Sequence, residues 1–571
     1  MANAPTFDEF TGWIRAAETE AAENGSGYKR KVGLFAMLGY AFVFGLIILT
    51  LAALVGLVAL VALRESGGAT AGIAKLGFVL AIFGFMVASA LWVKIDPPTG
   101  KRITRDDFPD LFADIDDLQR KLDALPIHEV ILVPDLNAFV AQTPRLGVLG
   151  WQRNTLGIGL ELMLVLDREE MRSVLAHELG HLSGNHSKFA GWIYRVRKTW
   201  TNLNTKFSEL GGWGGWLIRK FFFWYVPRFD AYSFALRRLN EYEADAAAAE
   251  LTSADDAARA LVKINIFAGY LDRVYWDGFF SQASETPQPS RMAYAGFADR
   301  LETLDLPIDT LEAFRKHAMA RETGYQDTHP ALRDRLAGLG RASFTLDYDK
   351  LDFKRSVAHD WLGPKFDEVI GTFDADWWQT AQERWEGQYQ KVAAERRELT
   401  ELQARPIDDL TLDELWTLGV RTSRHIGGAE ALPIFQTYKA RDDQDFDVAM
   451  VLGRLLAQQG DDACLAEWGR IPREHKEFVR AHDEAAVYLD NSDRSDEAKE
   501  WRAKADKRYA EVQAIEADHS GVSTDDTLIE PQLSQANLDY LRERLLAILA
   551  ASSPRGWRKN RQASRAVCRS V

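Results

Sequence analysis

The chain contains very little cysteine. Only Cys464 and Cys568 occur among its 571 residues, so disulfides cannot form the framework of a protein of this size. Large exported domains commonly use disulfides, and the scarcity of cysteine here fits a protein that works in the reducing cytoplasm. The chain also lacks an excess of positive charge. Its 69 Lys and Arg residues against 83 Asp and Glu residues give a net charge of −14, which argues against nucleic acid as a general partner.

Charged residues are absent from the stretch Val32 to Leu63, which is longer than the roughly 20 residues needed to span a bilayer. A second apolar run, Leu76 to Val93, lies between Lys75 and Lys94. Together they predict a two-helix transmembrane hairpin. A cleaved signal peptide is the alternative, but its apolar core has roughly 7 to 15 residues, about half the length of the first run.

Basic residues flank this hairpin at both outer ends. Those before and after it are Lys29, Arg30 and Lys31, then Lys94, Lys101, Arg102 and Arg105. By the positive-inside rule both ends lie in the cytoplasm. We therefore expect a multi-pass protein integral to the cell (inner) membrane, with its later domains facing the cytoplasm.

A metal-binding pattern follows at His177-Glu178-Leu179-Gly180-His181. On a helix, residues i and i+4 lie one above the other, so both imidazoles can bind one zinc ion while Glu178 reaches a water on that metal. Asp167 as N-cap and Glu170 three residues later predict a capping box at the start of this helix. The alternative is a pair of core histidines that hydrogen-bond to backbone carbonyls.

Catalytic zinc usually has three protein ligands, so a further one is needed. The best candidate is Glu241, in an alanine-rich helical stretch from Ala235 to Leu251. Asp245 shares its face and can accept a hydrogen bond from a zinc-binding histidine, while Glu243 is expected to be solvated. Taken alone, an acidic pair on such a helix is more often a solvent face.

With a third motif, Thr328-His329-Pro330 followed by Arg335, these residues resemble the membrane zinc peptidases that include HtpX and the type 1 CAAX prenyl protease. The resemblance covers about Asp96 to Ser343 together with the hairpin, and it implies a zincin-type peptidase domain. By this resemblance one zinc ion per chain is held by His177, His181 and Glu241, and Glu178 is the catalytic base.

The resemblance also implies roles for the third motif and for a strand. His329 would lie near the zinc and bind the substrate carbonyl or the oxyanion, and Arg335 would orient carboxylates. A turn with a helix beginning after Pro330 is the alternative. A small meander is suggested upstream by four short segments, at residues 129–133, 137–140, 146–151 and 154–160. By the resemblance, an edge strand of this sheet would take up the substrate backbone. Ordinary core strands are the alternative there.

An aromatic stretch separates the two zinc motifs. It comprises Gly211 to Trp216 and Phe221 to Val226, interrupted by Arg219 and Lys220. Aromatic and basic side chains suit the bilayer interface, which favours a segment that rests on the membrane. A re-entrant hairpin and an aromatic core around a long insertion are the alternatives.

The C-terminal half is helical and lacks long apolar runs. Phe435, Trp468 and Trp501 recur at intervals of 33 residues, each after a turn, a period typical of tetratricopeptide-like repeats. Such repeats would form a surface for a protein partner. A plain helical bundle is the alternative.

We therefore predict a mainly α protein with a small β-sheet. Its regions are an N-terminal leader (1–27), the transmembrane hairpin (28–95), the zinc metallopeptidase domain (96–345), a helical connector (346–407), a repeat-like domain (408–515) and a partly disordered tail (516–571).

The predicted function is a membrane-anchored zinc endopeptidase that cleaves proteins at the cytoplasmic face in membrane protein quality control. Its partners would be polypeptide substrates, chiefly membrane proteins, and the lipid bilayer. The alternatives are a protease for prenylated or lipid-linked peptides, and a catalytically idle scaffold that binds partners through its helical repeats.

Overall fold

Two groups of contacts divide the chain, the first formed by residues up to 276 together with 291–379 and the second by 277–290 together with residues from 380 onward. The computed structural model describes residues 6–62, 73, 75–78, 80–82, 84, 97–144, 152–183, 189, 192–193, 196–197, 200, 212–324, 327 and 329–519. Most of the second predicted span, the strand predicted at 146–151, Thr328 and all but the start of the tail lie outside the described residues.

Two helices open the first unit. Helix α1 (Phe7–Glu23) begins at a capping box of Thr6 and Glu9, and α2 (Gly25–Ala62) follows directly. Among the described residues one helix, Gly25–Leu60, is long and apolar enough to cross a membrane, with a mean hydropathy of 2.8. Only 11% of its most apolar window is buried, so it is not a core helix. The first predicted span is therefore a helix with an apolar, uncovered surface.

A four-stranded sheet comes next, built from β1 (Lys101–Ile103), β2 (Glu129–Val133), β3 (Ala138–Pro144) and β4 (Gln152–Gly159), in the order β1-β2-β4-β3. β2 and β4 pair parallel, whereas β1 pairs with β2 and β3 with β4 antiparallel. The predicted meander is therefore wrong. β4 is buried along most of its length and takes the central position, which leaves β3 at an edge.

The helix of the histidine motif lies at the centre of this unit. α3 (Pro109–Lys121) precedes β2, and α4 (Leu160–Val165) leads from β4 into α5 (Arg168–Gly180). Asp167 and Glu170 form the predicted capping box. The carboxylate of Glu170 is fully buried and also accepts a hydrogen bond from Lys263 at 2.8 Å, which ties the start of α5 to the next helical layer.

The aromatic stretch belongs to the same helix as the predicted third ligand. α6 runs without interruption from Gly212 to Leu251 and contains Pro227, so the expected start at Ala235 is wrong. Phe222, Tyr225 and Phe229 are buried against α2, where Tyr225 stacks on Phe35 with ring centroids 4.8 Å apart. Of the alternatives considered for the aromatic stretch, the aromatic core accounts for Phe222 and Tyr225.

The remaining helices of the first unit surround this centre. α7 (Ala254–Tyr270) continues through a π-helical turn (Leu271–Tyr275) into α8 (Trp276–Ser281), which belongs to the second unit after its first residue. The others are α9 (Ala293–Glu302), α10 (Ile308–Ala320), α11 (Leu332–Gly338) and α12 (Val357–Leu362). A long helix, α13 (Phe366–Gln403), contributes its first part to this unit and the rest to the second.

The second unit contains three successive helix pairs. They are α14 (Leu412–His425) with α15 (Gly428–Arg441), α16 (Phe446–Gln458) with α17 (Ala463–Gly469), and α18 (Phe478–Asn491) with α19 (Ser495–His519). In the first two pairs a glycine receives an aromatic ring from the second helix: Gly419 meets Phe435, and Gly453 meets Trp468. Phe435 and Trp468 are two of the positions whose spacing suggested repeats, and the tetratricopeptide assignment stays a prediction.

Candidate metal centre

The two histidines of the HExxH motif lie at the C-terminal end of α5. His177 is buried in the last turn and His181 is the C-cap, with their ring centroids 4.8 Å apart and nearly perpendicular. The Nε2 atoms of both rings face the same carboxylate, that of Glu241 on α6, at 3.6 Å and 3.5 Å. The helix spacing of four residues therefore brings both imidazoles to one acidic group.

Small residues let α6 come close enough to bring Glu241 there. A Cβ atom on Gly180 would lie only 3.6 Å from the Cα and Cβ atoms of Ala244. Glu241 is buried, although it follows His181 by sixty residues in the chain. The alanine-rich composition of this helix, noted from the sequence, is what permits the two backbones to pack at this distance.

Asp245 and Arg335 lie behind His177. One carboxylate oxygen of Asp245 is 2.9 Å from Nδ1 of His177, and Arg335 donates two hydrogen bonds to the same carboxylate, at 2.9 Å and 2.5 Å. With Nδ1 engaged in this way, Nε2 of His177 is the nitrogen turned toward Glu241. This arrangement, in which a carboxylate orients a histidine, is typical of zinc sites.

His329 approaches Glu241 from a loop on the other side. Its Nδ1 lies 2.5 Å from Oε2 of Glu241, and its side chain is 55% exposed. One ligand atom each from His177, Glu241 and His329 falls within 4.8 Å of the others. The structure therefore brings together all of the predicted site residues, and it also offers a second possible ligand set in which His329 replaces His181.

The electrostatics favour positive charge on the buried imidazole. Burial opposes the charged form of His177, but hydrogen bonds with Asp245 and Glu241 outweigh it and raise its pKa to about 9. Burial likewise acts to raise the pKa of Glu241, but its hydrogen bonds with His177 and His329 lower it well below the usual value. Burial and the charge of His177 lower the pKa of His181 to about 4. The site thus combines the anionic carboxylate of Glu241 with the positively charged imidazole of His177 and the neutral imidazole of His181.

Glu178 is the half-buried residue next to His177. Its pKa is raised, chiefly by burial, while the charges of His177 and His329 act in the opposite direction. A carboxylate with a raised pKa accepts and releases a proton more readily near neutral pH. Its position and its pKa therefore suit a residue that transfers protons.

The donor set fits zinc. Imidazole nitrogens and carboxylate oxygens are the ligands of catalytic zinc, and a set of two histidines and one glutamate leaves a position open. Two histidines, one glutamate and a second carboxylate that orients one of the histidines are all present among the described residues.

Two ion pairs beside Glu241 were not anticipated from the sequence. Glu243 is exposed, as expected, and Lys29 of α2 also donates to both of its oxygens, at 2.8 Å and 2.7 Å. Arg238 bonds to Glu18 of α1 and, at 2.8 Å, to the carbonyl of Gly324 in the segment that leads to His329. The only sign of these ion pairs in the sequence was opposite charge in distant segments, and one sequence does not show which charged residues contact each other.

A HExxH helix with a glutamate from a second helix defines the class of zinc-dependent metallopeptidase sites. Residues 112–342 match the model of peptidase family M48. This region is therefore similar to the peptidases of family M48, and the predicted resemblance to the family that includes HtpX is confirmed.

The chain is also similar to "Protease HtpX" of Cellvibrio japonicus (strain Ueda107), with 26% identity over 198 residues. The match covers 32% of this chain and 64% of that relative's length. Within the described residues, the apolar helix Gly25–Leu60 is in addition long enough to attach the chain to a membrane.

Proposed function

We propose that this protein is a membrane-anchored zinc endopeptidase that hydrolyses peptide bonds of proteins. The observation that carries the proposal is the convergence of His177 and His181 on the buried carboxylate of Glu241, with Glu178 beside them. These three ligands are preferred over the set with His329, because His181 is fixed by helix spacing whereas His329 is exposed on a loop.

The roles of the residues follow from their positions. His177, His181 and Glu241 would hold zinc, which when bound polarises the substrate carbonyl and lowers the pKa of water. Glu178 accepts a proton from the attacking water and delivers it to the nitrogen of the leaving amine. His329 donates a hydrogen bond to the oxyanion, Asp245 fixes the tautomer of His177, and Arg335 orients Asp245.

The edge of the sheet supports the entry of an extended substrate. β3 ends the strand order and contacts α5, the helix that carries the two histidines. Among the described strands, none pairs with its outer side. A polypeptide could therefore add to β3 as a further strand through main-chain hydrogen bonds, with little dependence on its sequence.

The proposal extends to the side of the membrane on which the catalytic domain lies and to its substrates there. The basic residues beside the apolar helix favour a cytoplasmic catalytic domain. The ion pair of Lys29 and Glu243 supports a site on the same side of the bilayer as the start of α2. At that face the substrates would be damaged or misfolded membrane proteins. The helix pairs of the second unit would offer a partner surface.

Two other functions are less well supported. A protease for lipid-linked peptides would need a chamber of several membrane helices, and the described residues contain one candidate span. An idle scaffold would have no need for the intact glutamate at position 178.

The decisive variant is Glu178→Gln. It should keep one zinc ion per chain and reduce the turnover of a protein substrate at least about 100-fold, because removal of the base leaves the ligands in place. Zinc content and cleavage rate are measured on the same preparation. Retained cleavage would show that another residue is the base or that the activity belongs to a contaminant.

A further inference from the structure

An arginine held between two tryptophans lies at the side of the paired helices α1 and α6. The guanidinium of Arg228 is 4.4 Å from the ring centroid of Trp13 and 5.4 Å from that of Trp224. It also donates to the carbonyl oxygen of Trp224 at 2.9 Å. We refer to Trp13, Trp224 and Arg228 as the Trp–Arg belt.

The charge of Arg228 has no acidic partner within the part of the chain that the structure describes. Asp230, two residues further on, pairs instead with Arg197 at 3.0 Å. The indole rings hold the guanidinium in place by cation–π contact, and they do not neutralise it. A fixed, half-exposed guanidinium of this kind is suited to an anionic oxygen such as that of a phosphate.

The belt lies where the neighbouring helix α2 changes from charged to apolar. Lys29, Arg30 and Lys31 end the charged part of α2, and large apolar side chains are exposed from Leu34 (64%) and Met37 (52%) onward. Phe35, in this transition, lies 5.9 Å from Trp224 between ring centroids. α2 thus passes from polar to apolar surface at the level of the belt.

From these observations we infer that the bilayer surface meets the protein at the Trp–Arg belt, where Arg228 binds the phosphate of an anionic phospholipid headgroup. Tryptophan and arginine are the residues expected at this depth, and the exposed apolar surface of α2 continues on its membrane side. Phe223 and Trp224, each 43% exposed, continue that apolar surface on α6.

The position of the belt at the bilayer surface also sets the height of the catalytic centre above that surface. This step rests on the proposed peptidase function. Thirteen residues of one continuous helix separate Arg228 from Glu241. With α6 standing along the bilayer normal, roughly 1.5 Å per residue places the site about 20 Å above the headgroups. An extended chain advances roughly 3.3 Å per residue, so a bond becomes reachable only about six residues beyond the membrane.

The headgroup contact is tested with full-length protein in nanodiscs of phosphatidylcholine, with or without about one third phosphatidylglycerol. The anionic lipid should raise the unfolding midpoint of the wild type, and Arg228→Gln should lose at least half of that shift. Arg273→Gln is the matched control, since Arg273 lies over the ring of Phe314 at 5.9 Å in another part of the unit and should keep the full shift. A full shift in Arg228→Gln, or none in the wild type, would overturn the assignment.

The height is tested with the wild-type protein in the same membranes. A peptide that is cleaved when free in solution is joined to a transmembrane helix through Gly/Ser spacers of about 2, 4, 6, 8 or 12 residues. Cleavage should fall at least tenfold for spacers below about six residues, the number needed to extend about 20 Å. Equal cleavage at every length would refute the height. Failure to cut even the free peptide would instead contradict the proposed peptidase function.

Discussion

At the scale of residues, a few short distances between side chains account for the geometry of the proposed zinc site. The Nε2 atoms of His177 and His181 lie 3.6 Å and 3.5 Å from Glu241, and Asp245 holds the other nitrogen of His177 at 2.9 Å. These residue types and their helical spacing were predictable, because i and i+4 positions share a face. The ion pairs of Glu243 and Arg238 were not, because each partner comes from the N-terminal helices.

The two possible ligand sets can be distinguished by variants. His181→Ala should lose most of its zinc, because it removes one of three ligands. His329→Ala should keep the zinc and lower kcat/KM about 100-fold, because it removes a donor to the oxyanion. Metal analysis of both purified variants is the measurement. Zinc lost from His329→Ala and kept by His181→Ala would mean that His329 is the ligand.

At the scale of elements, α5 is positioned by buried charge. Glu170 caps the helix and accepts hydrogen bonds from Lys263 at 2.8 Å and Arg259 at 3.2 Å, while burial raises its pKa. The capping box was predictable from Asp167 and Glu170 alone. The partners on α7 were not, since they depend on how two helices pack. For the same reason the helical stretch expected from Ala235 begins much earlier, at Gly212: the aromatic residues that precede Ala235 pack against α2.

Removal of the Glu170 charge should destabilise this arrangement. Glu170→Gln leaves the ammonium group of Lys263 buried without its counter-ion, at a cost of about 3 to 5 kcal/mol in the free energy of unfolding. The control is Glu169→Gln, whose side chain is 57% exposed and whose change should be within about 0.5 kcal/mol. Denaturant unfolding of both variants measures the difference. Equal stabilities would show that the buried pair does not hold α5.

At the scale of the whole molecule, an apolar helix and a peptidase domain belong to one folded unit. The N-terminal helices contact α6 on both sides of the zinc-ligand position, through Lys29 with Glu243 and Glu18 with Arg238. The sequence identified the apolar run and the motifs separately. Their connection, and the order of the strands, depend on contacts between residues far apart in the chain, for which one sequence contains no pattern.

The proposed cytoplasmic orientation of the catalytic domain can be measured in cells. A reporter enzyme that folds only outside the cytoplasm, fused after Val93, should be inactive, and a fluorescent protein fused at the same position should be bright. The physical reason is that Lys and Arg residues are concentrated beside the apolar segments, and such basic flanking residues are retained on the cytoplasmic side of the membrane. An active reporter and a dark fluorescent fusion would place the catalytic domain on the opposite side.

The central claim, that Glu241 completes a zinc site with the HExxH histidines, is tested most directly by the zinc content of two neighbouring variants. The wild type and Glu243→Ala should each contain one zinc ion per chain, because Glu243 pairs with Lys29 and not with the histidines. Glu241→Ala should contain almost none, because it removes a ligand from a three-ligand site. A full complement of zinc in Glu241→Ala would contradict the account.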